Sequence, residues 1–352
     1  MKKHIIIYIL IVIFGLFSIL ISSPITTYSK SSYNDHSHFF RDIVNQNPEF
    51  KNVSLTRISM LGSHDALSDK IDYYSAPNKS EDNIVNNRLL RFLGKGMMVR
   101  LARAQSEDVY KQLCAGARYL DVRVCNVDGI FYNSHGLISE EFENNLKLIL
   151  KFLDENPGEF ILFNINKYYE GNSNFNELEE FIKTVKYNNK NLFDYVNYQN
   201  INSFSKLTYS NITDDGKKAG VVLFSQADNR SGIFSLLDSN DIISNWHHEI
   251  DSNALIKKIK EECIKEKNMD IKYLRINQAQ TSPSTKDAFK TVTSWSLLHH
   301  AKEHNVNLLG QPDIKDIIDS IPIYMVDYVT CGYKDFNNRI IDLLSERNIT
   351  LK

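Results

Sequence analysis

Short apolar segments recur along this chain, separated by longer stretches of helical periodicity, and that alternation limits the folds open to it more than any other feature. The segments cover 56–61, 119–124, 129–132, 160–165, 221–224, 273–277, 307–309 and 323–326. Several run without polar alternation, which suits strands covered on both faces, as in a parallel sheet. Between them, 141–156 places Phe142, Leu146, Ile149, Leu150 and Leu153 at three- and four-residue spacing and stops at Pro157 and Gly158. That is an amphipathic crossover helix with its terminator. Stretches 254–267, 285–305 and 334–348 read the same way. Strand and crossover helix in repetition define an α/β fold, and about eight strands favour a closed (β/α)8 TIM-like barrel over an open doubly wound sheet. No glycine-rich nucleotide loop follows the first strand. The stretches 168–218 and 226–250 are asparagine-rich and weakly patterned, and are expected as loops.

The 352 residues can bury one large core, and the barrel is expected over 50–348 as a single domain. Before it, 25–49 reads as a polar, loosely packed lead-in. Residues 1–24 resemble an export leader: Lys2, Lys3 and His4 precede the apolar run Ile5 to Ile21, and Ser22, Ser23 and Pro24 follow. The run nearly spans a bilayer core, so removal as a signal peptide and retention as an amino-terminal anchor both stay open. The expected location is secreted or extracytoplasmic. With 41 basic and 43 acidic side chains the net charge is −2, which gives no footprint for nucleic acid. Cys114, Cys125, Cys263 and Cys331 have neither metal-like spacing nor the density of a disulfide scaffold. Cys114 and Cys125 are the nearest pair, and free buried thiols are the plainer reading.

Polar residues gather at the carboxyl ends of the expected strands. His64 and Asp65 follow 56–61, Asp121 and Arg123 lie in 119–124, His135 follows 129–132 and Asp327 ends 323–326. In a parallel barrel these ends share one mouth. The two-residue spacing of Asp121 and Arg123 puts both on one face of their strand. A lone histidine at a strand end is usually a hydrogen-bonding structural group. Two histidines, an arginine and several carboxylates together can remove a proton, donate a proton and stabilise phosphoryl oxygens. Asp65 and Asp327 are available to orient the imidazoles.

The segments RISMLGSHDALS (57–68), QLCAGARYLDVRV (112–124), FYNSHG (131–136), FLDENPGEFILFNI (152–165), NQAQTSP (277–283) and MVDY (325–328) resemble the X-domain of phosphatidylinositol-specific phospholipase C in its secreted bacterial form. The resemblance spans about 50–345 and is most specific in its first half. It implies a distorted (β/α) barrel that cleaves phosphatidylinositol to diacylglycerol and inositol 1,2-cyclic phosphate. It further implies His64 as general base, His135 as general acid, Arg123 as phosphate ligand, Asp327 as partner of the base, Asp65 on the acid side and Asp121 in support. Calcium-dependent relatives carry an acidic residue where Arg123 stands. A guanidinium replaces a cation instead of ligating one, so no metal and no cofactor are expected. The family's inositol-binding lysine and arginine are not matched in kind: Asn166, beside Lys167, and Gln226 occupy the best-matching positions, and Arg275 is a candidate cation from another wall.

Inositol specificity is therefore less constrained than phosphodiester chemistry. A phosphodiesterase for another lipid or a glycosylated inositol headgroup and a catalytically weakened headgroup-binding module are the alternatives. The expected partner is a phospholipid at a membrane surface, met by a monomer. Trp246, Tyr168 and Tyr169 are expected near the mouth, where aromatic side chains suit a lipid interface. His247, His248, His299, His300 and His304 are expected on a solvated or core-edge face, since Lys302 and Glu303 between His300 and His304 do not have the spacing of a zinc helix.

Overall fold

The computed structural model describes residues 8, 30–81, 95–96, 98–169, 171, 174–266, 272–282 and 296–352. The apolar leader, save Tyr8, lies outside them, as does 285–295 at the start of an expected helix. Nine strands form one mixed sheet: β1 Met60–Ser63, β2 Ala117–Val127, β3 Ile130–His135, β4 Leu137–Glu141, β5 Phe160–Tyr169, β6 Gly220–Ser225, β7 Ile242–Ile243, β8 Leu274–Gln278 and β9 Ile323–Val326. Seven run parallel in the order β6, β5, β2, β1, β9, β8, β7, and no ladder joins β6 to β7 among the described residues. The barrel is thus distorted, and its hydrogen bonds do not close the ring.

Two of the expected strands are not barrel strands. Segment 307–309 ends a helix, Leu297–Leu309, whose Leu308 and Leu309 are buried on its inner face. Segment 129–132 belongs to β3, which turns back antiparallel on β2. The cause is local: Asp128 and Gly129 take φ of 52° and 87°. Successive left-handed residues make the tight turn of a two-residue hairpin. β4 then pairs with β3, giving a two-strand flap beside the mouth.

The helices are α1 Phe39–Gln46, α2 Val109–Cys114, α3 Phe142–Glu155, α4 Phe175–Thr184, α5 Tyr209–Thr213, α6 Ser252–Glu266, α7 Leu297–Leu309, α8 Ile314–Ser320 and α9 Phe336–Ile349. Strand side chains alternate between two apolar clusters. Tyr119, Leu162 and Val222 belong to one, and Leu120, Phe163 and Leu223 to the other. The packed body begins before residue 50. Phe39, Phe40 and Ile43 of α1 are buried, and Phe40 stacks on Phe160 with ring centroids 4.2 Å apart. The fully buried pair Arg118 and Glu159 fixes this segment at the end of the barrel away from the mouth. Arg118 contacts Glu159 at 2.7 Å and donates to the carbonyls of His36 and Ser37, while Glu159 accepts from the amides of Phe40 and Arg41. The expected loop 168–218 also carries structure: α4 buries Phe175, Leu178 and Ile182, and α5 buries Tyr209 and Ile212. All four cysteines are free.

Candidate active site

β1 ends beneath the mouth. Gly62 lets it run tightly there, since a Cβ would lie 3.0 Å from that of Met325 and 3.1 Å from the Tyr119 ring. After β1 the chain turns sharply, with Asp65 at φ 42°, an uncommon conformation for a non-glycine residue. Two bonds hold the turn: the Asp65 amide donates to Asp121 Oδ2 at 3.1 Å, and the Ala66 amide to the Asp121 carbonyl at 2.9 Å. Gln105 braces His64 from behind, donating to its carbonyl at 2.8 Å and accepting from the Val329 amide at 3.0 Å.

Six of the residues singled out in the sequence meet at this point. His64 Nδ1 lies 2.6 Å from Asp327 Oδ1, and its Nε2 lies 3.2 Å from Asp65 Oδ2 and 3.1 Å from Arg123. Arg123 Nε pairs with Asp65 Oδ1 at 2.6 Å, and its NH2 lies 3.6 Å from Asp121 Oδ2. His135 Nδ1 lies 3.0 Å from Asp65 Oδ2 and 2.8 Å from the Ala102 carbonyl. A carbonyl only accepts, so His135 carries its proton on Nδ1 when neutral and leaves Nε2 as the second functional nitrogen. The two imidazoles stand edge to face with centroids 5.8 Å apart.

Charge is concentrated and buried here. Burial alone would lower the His64 pKa, but Asp65 and then Asp327 outweigh it and raise the pKa from 6.5 to about 9. Burial would raise that of Asp65, yet Arg123, His135 and His64 hold it well below the usual carboxylate range. Arg123 is held firmly charged by Asp65 and Asp121 in spite of its burial. The donor atoms of His64, Asp65 and Asp121 lie within 4.8 Å of one another, a spacing that suits a cation. The guanidinium of Arg123, in contact with all three, supplies that positive charge.

A cavity of about 430 Å³ opens above the cluster, lined by His64, Arg123, His135, Asn166, Lys167 and Gln226 on one side and by Ser244, Trp246, Gln278, Gln280, Thr281 and Ser282 on the other. Asn166 and Lys167 both reach it because β5 is bulged: Val122 pairs with Ile165 and Arg123 with Lys167, leaving Asn166 as the extra residue. Asn166 donates to Asp121 Oδ1 at 2.7 Å, and Gln226 accepts from Asn164 at 2.8 Å. Arg275 does not line the cavity. It is 7% exposed near the start of β8, where the charge of Glu266 of α6 acts on it, so it supplies no cation to the mouth.

Of the aromatics expected at a lipid interface, Trp246 is 56% exposed at the rim and packs against His248, with ring centroids 3.8 Å apart and the planes tilted by 33°. Tyr168 is instead buried against Phe131 and Phe175, because β5 continues through it. His304 is buried with Ser252, and burial lowers its pKa to about 4. Sequence reasoning missed Gln105, Ala102 and Glu81. None sits at a strand end beside another polar group, and Ala102 acts through its backbone.

No protein-family model matches the chain. PI-PLC X domain-containing protein 3 of Bos taurus is 30% identical over 146 residues, covering 40% of this chain and 46% of that protein. Variant-surface-glycoprotein phospholipase C of Trypanosoma cruzi is 32% identical over 127 residues, 33% of each. The chain thus spans a third to a half of the length of these curated relatives. Among solved structures, a phosphatidylinositol-specific phospholipase C of Staphylococcus aureus superposes with TM-score 0.57 at 16% identity, covering 85% of this chain and 97% of that one. The enzyme of Listeria monocytogenes gives 0.55 at 17% identity, covering 84% and 95%. The second likeness is one of fold, and the first is one of sequence over less than half of this chain.

Proposed function

We propose that this protein is a phosphodiesterase that cleaves phosphatidylinositol to diacylglycerol and inositol 1,2-cyclic phosphate, acting without a metal on lipid at a membrane surface outside the cytoplasm. The observation that carries the reading is one guanidinium, Arg123, set among buried carboxylates beside two imidazoles 5.8 Å apart. Asp327 fixes Nδ1 of His64, so Nε2 accepts the proton of the inositol 2-hydroxyl as that oxygen attacks phosphorus. Arg123 stabilises the phosphoryl oxygens as their charge grows. His135, its Nδ1 occupied by Ala102 and Asp65, gives the proton on Nε2 to the departing diacylglycerol oxygen. A hydroxyl on the same ring is already near phosphorus, which spares much of the entropy of recruiting water. Water can then open the cyclic ester with the imidazole roles exchanged.

The opposite wall supports a polyol headgroup. Ser244, Gln278, Gln280, Thr281 and Ser282 offer neutral amides and hydroxyls, and Lys167 is the one lysine lining the cavity among the described residues. That neutral wall also suits a glycosylated inositol, the second reading, and a phospholipase C acting on a surface glycoprotein is among the relatives by name. Location outside the cytoplasm rests on the leader ending at Pro24.

The test is phosphorus NMR of the products of a headgroup panel, run with wild type, His64→Ala and His135→Ala. A cyclic phosphate from phosphatidylinositol, lost by roughly 100-fold or more in each variant, is the expected result. Near-native turnover by either variant overturns the proton-transfer scheme. Cleavage confined to glycosylated inositol lipids selects the second reading.

A further inference from the structure

We propose that Glu81 is a positioning residue for the acid histidine, an inference that rests on the reading of His135 above. One carboxylate oxygen of Glu81 brackets that residue in sequence. Oε2 accepts from the Gly136 amide at 2.7 Å on one side of His135 and from Ser134 Oγ at 3.2 Å on the other. The same oxygen takes a longer bond from Asn78 Nδ2 at 3.4 Å, and Asn78 also donates to Ser134 at 2.8 Å. The segment carrying Glu81 is itself seated on the flap: the Ile138 amide donates to the Ala76 carbonyl at 2.7 Å, and the Asn78 amide to the Gly136 carbonyl at 3.0 Å.

Glu81 also faces the rest of the site. The Glu81 charge acts on Tyr169, at the end of β5, and on Arg123 after those of Asp65 and Asp121. Three elements therefore converge on this one side chain: the segment before residue 81, the β3–β4 flap, and β5 beyond its bulge. His135 is 21% exposed in its side chain and sits at the end of a two-strand flap, an edge element that fixes a side chain less firmly than the central strands do. Glu81 does not line the cavity and touches no reacting atom; it acts through His135.

A residue that acts through the acid has a chemical signature. Protonation of the leaving oxygen matters for an alkoxide such as diacylglycerol and little for p-nitrophenolate, which departs without help. The experiment compares phosphatidylinositol with the p-nitrophenyl ester of inositol 1-phosphate, using wild type, E81A, E81Q and H135A. E81A is expected to lose roughly 30-fold in kcat on the lipid, a part of the roughly 100-fold or more supplied by the acid, and less than about 3-fold on the aryl ester. H135A should show the same pattern, larger. E81Q, whose amide oxygen still accepts from Gly136, should keep lipid turnover within about 3-fold of wild type. Aryl ester turnover also reports that the variant site is folded. Equal losses on both esters, or full lipid activity in E81A while H135A is impaired, overturn the role of Glu81 alone. A wild-type protein inert on both esters overturns the phosphodiesterase reading and this role with it.

Discussion

Replacing Asp327 with asparagine tests the electrostatics of the base most directly. His64 is raised from 6.5 to about 9 even though burial opposes this, so its carboxylate neighbours together supply more than the net gain. At about 1.4 kcal/mol per pH unit, that net gain is about 3 kcal/mol. Asp65 acts by charge, and Asp327 by charge and by the 2.6 Å hydrogen bond. Asp327 supplies a part of that gain, on the order of one pH unit. The sign follows from the chemistry: the base works when neutral, so kcat/KM rises as pH climbs through the His64 pKa. Asp327→Asn removes a charge that favours the imidazolium, and the rising limb should move about one unit toward acid. The same imidazolium forms in the transition state, so maximal kcat should fall roughly 10-fold or more, the value of a hydrogen bond to a charged group. Asparagine keeps the shape and can still accept from Nδ1, which limits structural disturbance. The assay is kcat/KM on dispersed phosphatidylinositol from pH 5 to 10, and a limb that stays in place or moves to higher pH refutes the assignment.

Two further outcomes follow from the same geometry. Activity in excess chelator should equal that in its absence, since Arg123 sits among the donors that a cation would need, and a loss restored by calcium would contradict this. Glu159→Ala should destabilise the fold by about 3 to 5 kcal/mol, because it strands the fully buried Arg118 guanidinium and two amides, and a denaturant midpoint near wild type would count against the pair as the anchor of α1.

The sequence showed the barrel because buried parallel strands read as unbroken apolar runs, and those at 160–165, 221–224 and 323–326 lie within β5, β6 and β9. It showed the cluster because parallel strands deliver their carboxyl ends to one place, whatever the loops between them do. What it hid depends on single backbone events. Asp128 and Gly129 are an overt hairpin signal by residue type, yet the apolar run after them reads equally as the next parallel strand. The bulge at Asn166 has no sequence signature, so the joint presentation of Asn166 and Lys167 became visible only in the register. Helix α1 was obscured by the polar residues around Phe39, Phe40 and Ile43, which reach the core only because Arg118 and Glu159 capture the adjoining backbone.

Asp65 is the carboxylate that the two imidazoles share, in addition to Asp327, which His64 has to itself. With both rings neutral, Asp65, Asp121, Asp327 and Arg123 give the cluster a formal charge of about −2, so protonation of at least one ring is favoured. The proposed step starts with the proton on His135 and ends with a proton on His64, and the charge of the cluster is the same before and after. Asp65 Oδ2 lies 3.0 Å from His135 and 3.2 Å from His64, so it is counter-ion to whichever ring is charged. The environment need not reorganise as the proton location changes, which is how fixed charges lower a barrier in a buried site. That double duty requires a carboxylate between the rings at the end of a strand, and the left-handed turn at Asp65, held by Asp121, is the backbone conformation that puts it there.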